Sequence, residues 1–320
     1  MYKKKAFLAG TILTASGIRY LYRKCFHRSV RSKAVEESIK LLSHKDELSS
    51  QEKFQSFVYE KSQINTQSYK LTRYMMSSVQ ETSFSNHQLY TLTGNANYDF
   101  NILYLHSGGY INQPSFNEWG FIDKLCKDLN AKVYVPLYHL VPTATHEQAY
   151  EMVDALYRSL DTTKPTIIMG AGAGGGLAAG FCESLESIME PDQLILISPW
   201  VDVTMSNFDI LRYESKDPLL ASYGLKQLGQ MWAGAKSVYA YKVSPLYGDV
   251  SHLKNVTIIA GTNDIFYPDI MKFYHQLVKA HVSTNLIARK AMIHNYPLLP
   301  IPEAQEAFQE ITEVFNEMKD

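Results

Sequence analysis

Four stretches of this chain carry residue types suited to acyl-transfer chemistry. In chain order, the first is the glycine loop His106-Ser107-Gly108-Gly109-Tyr110, which follows the apolar run NILYL. The second is PTIIMGAGAGGGLAAG, residues 165–180, where an apolar run meets a burst of glycines and passes into helix-favouring residues. Thr262-Asn263-Asp264 then places a carboxylate just past VTIIAG, and Ile293-His294-Asn295 places a histidine after STNLIAR. Backbone amides of a glycine loop can stabilise an oxyanion. A histidine oriented by a carboxylate can move protons.

The glycine turn has two readings. Gly170, Gly172 and Gly175 satisfy G-x-G-x-x-G after a strand and at a helix start, as a dinucleotide site requires. Such a site also wants an acidic residue at the end of the next strand. The next run, LILIS, ends in Ser198-Pro199-Trp200, and Glu190 and Asp192 stand before it. No Lys-Ser/Thr pair follows the glycines, which excludes a Walker-type phosphate loop. The other reading is a nucleophile elbow, G-x-S-x-G, where crowded strand and helix backbones demand small residues. Gly170, Ala171, Ala173 and Gly174 supply them, and Gly172 stands where the serine would.

The elements that must position these groups are legible from residue 88 onward. Short β-rich runs (QLYTLTG, NILYLH, KVYVP, TIIMG, LILIS, VTIIAG, STNLIAR) alternate with amphipathic stretches. The pattern predicts helices over 117–130, 146–159, 174–188, 269–281 and 302–318, the last with Pro302 in its first turn. Continuous apolar strands alternating with helices imply a parallel sheet covered on both faces. Residues 34–80 read as polar and helical with no clear strand. Residues 200–250 read as an aromatic-rich helical insertion.

With these motifs in this order, the sequence resembles the α/β-hydrolases of the hormone-sensitive-lipase-like group of bacterial esterases and lipases. The resemblance runs from about residue 88 to the C-terminus. HSGGY stands where that family has HGGGY or HGGAY, and GAGAGGGLA where it has GDSAGGGLA. VYVPLYHLVPTATHEQAYEMVDALYRSL, SPWVDVTMSN, DPLLASYG, SPLYGD, GTNDIFYPD and IHNYPLLPIPEA match further family blocks. The resemblance implies a single α/β-hydrolase domain over 34–320, with a mostly parallel sheet of about eight strands. It also implies a helical cap from about 34–80 and 205–240. Asp264 would orient His294, the general base and acid. Gly108, Gly109 and Ala173 would donate amides to the oxyanion. No metal or organic cofactor is implied, and the implied partner is a small or medium acyl ester, or an acyl ligand.

Two positions depart from that pattern: Ala171 replaces the family's Asp, and Gly172 replaces the nucleophile. Without an attacking atom the acyl-enzyme route is closed. Three readings follow: an engineered Ser-to-Gly change, a natural pseudoenzyme that binds without cleaving, or slow hydrolysis by a water that His294 activates. Ser107 reads as a small loop residue rather than a substitute nucleophile. Asp202 and His139 read as structural hydrogen-bonding groups, and Asp269 as the cap of the helix that follows. Pocket-wall candidates are Tyr110, Trp119, Tyr138, Trp200, Met205, Tyr213, Trp232 and Tyr267. Trp200 and Tyr267 are favoured because they lie beside motif loops.

The chain has 320 residues, 46% of them hydrophobic, and a formal net charge of −1. That suffices for one large α/β core or for two modest domains, and its neutral balance gives no footprint for nucleic acid. Cys25, Cys126 and Cys182 are too scattered for a disulfide framework or metal spacing and read as buried free thiols. Residues 1–33 differ: Lys3-Lys4-Lys5 precede an apolar stretch over 6–18, and Arg19, Arg23, Lys24, Arg28, Arg31 and Lys33 follow. Stretched to residue 22 it nearly spans a bilayer and reads as a signal or membrane anchor, or else as an exposed helix. The positive charge beyond it argues for a cytoplasmic main domain if it is an anchor.

Overall fold

The computed structural model describes residues 17, 20, 22–43 and 45–319. The apolar segment over 6–22 therefore lies outside the described residues, apart from 17, 20 and 22. Among the described residues no helix is long and apolar enough to cross a membrane.

Eight strands form one sheet: β1 (Ser78–Phe84), β2 (His87–Thr93), β3 (Phe100–Leu105), β4 (Ala131–Pro136), β5 (Thr166–Ala171), β6 (Gln193–Ile197), β7 (Asn255–Gly261) and β8 (Ser283–Arg289). Their spatial order is β1-β2-β4-β3-β5-β6-β7-β8. Only the β1–β2 and β2–β4 pairings are antiparallel, and β4 through β8 run parallel. Among the described residues the helices include α1 (Val30–Leu42), α2 (Gln51–Ile64), α3 (Phe116–Asp128), α4 (His146–Arg158), α5 (Ala173–Glu183), α6 (Ile210–Glu214), α7 (Ser222–Ala233), α8 (Tyr267–Lys279) and α9 (Pro302–Glu317).

The central strands are apolar throughout because both of their faces are buried. Leu103, Leu105, Ile168, Leu194 and Ile258 pack toward α4, α5 and α8. Their neighbours Ile102, Tyr104, Ile167, Met169, Ile195 and Ile259 pack toward α3 and α9. The sheet order reverses at β3, which sits between β4 and β5. Open α/β sheets bind ligands outside the carboxyl ends of the strands at such a reversal. Here those ends deliver the Ser107-Gly108-Gly109 loop after β3 and the Gly172 turn after β5.

Three expectations change. β1 starts within the stretch read as lacking a strand, because this edge strand is polar and mostly exposed. Asp269 does not cap α8: it lies within the first turn, while the Asp264 side chain accepts the Phe266 N–H just before the helix. Cys126 and Cys182 are buried free thiols, but Cys25 is exposed.

Candidate active site

Gly172 occupies the bend between β5 and α5 with φ 53° and ψ −116°. That left-handed backbone is costly for any residue carrying a Cβ. The turn is pinned on both sides. Gly172 N–H donates to Ile197 O at 2.9 Å, and Gly172 O accepts from Gly176 N and Trp200 N. Gly174 is needed for close approach, since a Cβ there would stand 2.1 Å from Leu105 O.

A Cβ built on Gly172 would lie 3.2 Å from His294 Nε2 and 3.2 Å from Asn295 Nδ2. A side chain at 172 would thus point straight at the imidazole, which would have to yield by a few tenths of an ångström. On its far side, His294 Nδ1 lies 3.0 Å from Asp264 Oδ2. A carboxylate only accepts, so in the neutral ring Nδ1 carries the proton and Nε2 presents its lone pair toward Gly172. Asp264 is held by the Phe266 amide at 2.9 Å.

Burial pushes the His294 pKa down. The adjacent Asp264 charge and hydrogen bond, with further contributions from Asp217 and Glu118, override it and leave the pKa raised. Asp217 is buried beside this pair and accepts from Leu219, Leu220 and Ile265 N–H groups. Burial and the nearby Asp264 charge raise its carboxyl to about 6.

The loop after β3 is set by a third buried carboxylate. Glu118 accepts from Ser107 N, Ser107 Oγ and Tyr104 OH, and closes a capping box with Ser115 at the start of α3. Ser107 is thereby turned toward Glu118. Gly108 and Gly109 follow with φ of 121° and 64°. Among the described residues, the amides of Gly108, Gly109 and Ala173 donate to no protein acceptor. His106 stacks on Tyr138 at 4.2 Å, and burial lowers its pKa to about 4.

A cavity of about 420 Å³ opens over this constellation. Ser107, Gly108, Gly109, His294 and Asn295 belong to its lining, and Gly172 does not. Ile39 and Leu42 of α1, Phe57 and Lys61 of α2, and Leu225 and Leu228 of α7 line it, with Leu48, Leu219, Leu220, Leu298 and Leu299.

The aromatic candidates are not on that wall. Tyr110 is buried and stacked on Trp232 at 3.8 Å, and Trp200 is buried against Phe266 with its indole N–H donating to Asp202 O. Tyr267 sits beside Tyr213 at 5.9 Å. Trp119, Tyr138, Met205, Tyr213 and Trp232 are also absent from the lining. Asp202 bonds Thr204 N and Tyr247 OH. His139 differs from expectation: its buried Nδ1 has no partner, and its ring packs on His87 at 3.7 Å.

Sequence reasoning does not reach Asn295, Asp217 or Glu118 as site residues. The pattern Ser115-x-x-Glu118 was available as a capping signature. Asn295 adjoins His294, whereas nothing local to Asp217 announces its place beside Asp264. Among the described residues no cluster of three or more metal-ligating side chains could hold a metal ion.

A model of the family described as alpha/beta hydrolase fold matches residues 102–298. The Mycobacterium tuberculosis protein named "Putative acetyl-hydrolase LipR" is 28% identical over 218 residues, covering 66% of this chain and 70% of that protein. A protein of Acinetobacter venetianus named "Esterase" is 25% identical over 222 residues, covering 66% and 73%. Among solved structures, that of a "putative esterase from Staphylococcus aureus" matches with a TM-score of 0.80 at 25% identity, covering 85% of this chain and 96% of that one.

Proposed function

This chain belongs to the α/β-hydrolase fold family, and on that premise we propose that its cavity is a carboxylic-ester hydrolase site with the nucleophile position emptied. The reading rests on one observation: the side-chain direction at Gly172 meets Nε2 of a histidine whose Nδ1 is held by Asp264. In this reading His294 is the general base and acid, Asp264 its orienting partner, and Gly108, Gly109 and Ala173 the oxyanion donors. Helices α1, α2 and α7 cap an acyl pocket, and the aliphatic lining favours small or medium acyl chains. The apolar segment over 6–22, with the basic residues that flank it, would associate the domain with a membrane surface.

With glycine at 172, the chain binds esters and turns them over poorly. Removing the nucleophile of such a triad costs about 10⁶ in turnover, with a residual rate from the oxyanion site and binding. A non-catalytic acyl-binding scaffold is the second reading, favoured by the missing side chain at 172 beside an intact Asp264–His294 pair. Turnover of p-nitrophenyl acetate and butyrate by this chain and by Gly172→Ser tests the first reading. The expected gain is at least about a hundredfold. A folded Gly172→Ser variant with no gain would favour the binder.

A further inference from the structure

A second cleft, of about 300 Å³, lies beside the leucine-lined cavity. Asn117, Leu298 and Leu299 line both, so the two share a wall. Arg31 of α1, Arg73 from the chain before β1 and Lys124 of α3 line this cleft, and no carboxylate does. The leucine-lined cavity adds Lys61, again without a carboxylate.

Arg73 and Lys124 are held in place without being neutralised. Gly120 opens a seat for Arg73, since a Cβ there would stand 2.7 Å from the guanidinium. Glycine inside a helix is unfavourable, and this one lets the guanidinium lie against α3. Arg73 also donates to Phe116 O at 3.1 Å and stacks over the Phe116 ring at 4.3 Å. Lys124 Nζ lies 3.7 Å from the Phe308 ring centre. A ring face steadies a cation and leaves its charge available to an anion.

Among the described residues, Arg31, Arg73 and Lys124 form no ion pair, and three carboxylates of the adjoining chain segments are engaged elsewhere. Glu36 pairs with Arg28 and Lys33, Glu303 accepts from Ser29, and Asp123 accepts the Met76 and Ser77 amides. Two guanidiniums and an ammonium around one cleft suit the several oxygens of a phosphate. At the neighbouring cavity Leu42 is 79% exposed although it belongs to the lining, as an amphiphile's entrance requires.

We propose that this cleft is a phosphate-class anion subsite, and that the ligand is an anionic amphiphile whose chain enters the leucine-lined cavity. The inference rests on the acyl-pocket reading above and adds the headgroup to it.

The test is calorimetric titration of the full chain with octyl phosphate, octanol and inorganic phosphate. Octyl phosphate is expected to bind at least about tenfold more tightly than octanol, the scale of a charge-assisted contact. The triple variant Arg31→Gln, Arg73→Gln, Lys124→Gln should lose that advantage and leave octanol binding unchanged. Arg31→Gln alone, at an exposed site, should lose part of the advantage without disturbing packing. Equal affinities for octyl phosphate and octanol would overturn the subsite and leave the acyl cavity standing. Failure of both to bind would overturn the acyl cavity and the subsite together. Inorganic phosphate binding as tightly as octyl phosphate would indicate a free-phosphate site and overturn the amphiphile.

Discussion

The Nδ1 atom of His294 stands 3.0 Å from Oδ2 of Asp264, two side chains delivered by the adjacent strand ends of β8 and β7. Asp264 is fully buried and His294 nearly so. The attraction therefore acts where solvent screens it little.

That pairing sets a pH dependence. The folded pKa of His294 is raised, so the imidazolium is favoured in the fold. Its contribution to stability is present below about pH 6.5 and is lost as pH rises through the folded pKa. Base catalysis needs the neutral ring. In the Gly172→Ser variant, kcat/KM should rise with pH through a midpoint above about 6.5. Asp264→Asn in that background should shift the midpoint downward, since burial then dominates, and should lower the rate. A midpoint that stays put would show that Asp264 does not act on His294.

The backbone at Gly172 predicts a cost for any side chain there. Its positive φ and the 3.2 Å approach to His294 Nε2 both oppose a Cβ. Gly172→Ala should lower unfolding free energy by about 1–3 kcal/mol in urea titrations. An unchanged midpoint would mean that the turn relaxes to a conformation other than the one described.

The central strands are legible in the sequence because both of their faces are buried. Ile102 through Leu105 of β3 and Leu194 through Ile197 of β6 are therefore apolar without alternation. Gln193, which opens β6, is buried too, and its side-chain amide donates to Thr257 Oγ1. β1 stays hidden because an exposed edge strand carries no apolar face. The order of glycine loop, elbow, acid and histidine can be read because each sits at a strand end. The pocket wall cannot, because aromatic residues such as Trp200 and Tyr110 satisfy each other in the core. The wall falls instead to leucines of α7 and of the chain around it, brought there only by tertiary packing. Asp217 is silent for the same reason, as its partner Ile265 N–H lies far along the chain.

A buried carboxyl away from the site gives an independent check on the fold. Glu183 ends α5 with both oxygens lacking a hydrogen-bond partner. Burial, with the Asp249 charge, raises its pKa to about 9. The folded state therefore holds a proton that the unfolded chain releases near its ordinary value of 4.5, and stability falls as pH rises from there toward 9. Glu183→Gln should remove that slope and raise the Tm at about pH 8, with little change at about pH 4. A variant that melts lower than the parent at the higher pH would contradict a neutral, unpartnered Glu183.

The most direct test of the site is the mass of the adduct formed with a fluorophosphonate, which captures only a nucleophile activated beside an oxyanion site. The chain with Gly172 should form no adduct. Gly172→Ser should carry one phosphonyl group at position 172, lost again when His294→Ala is added. A folded Gly172→Ser variant that stays unlabelled, or labelling of the unaltered chain at Ser107, would contradict the proposed site.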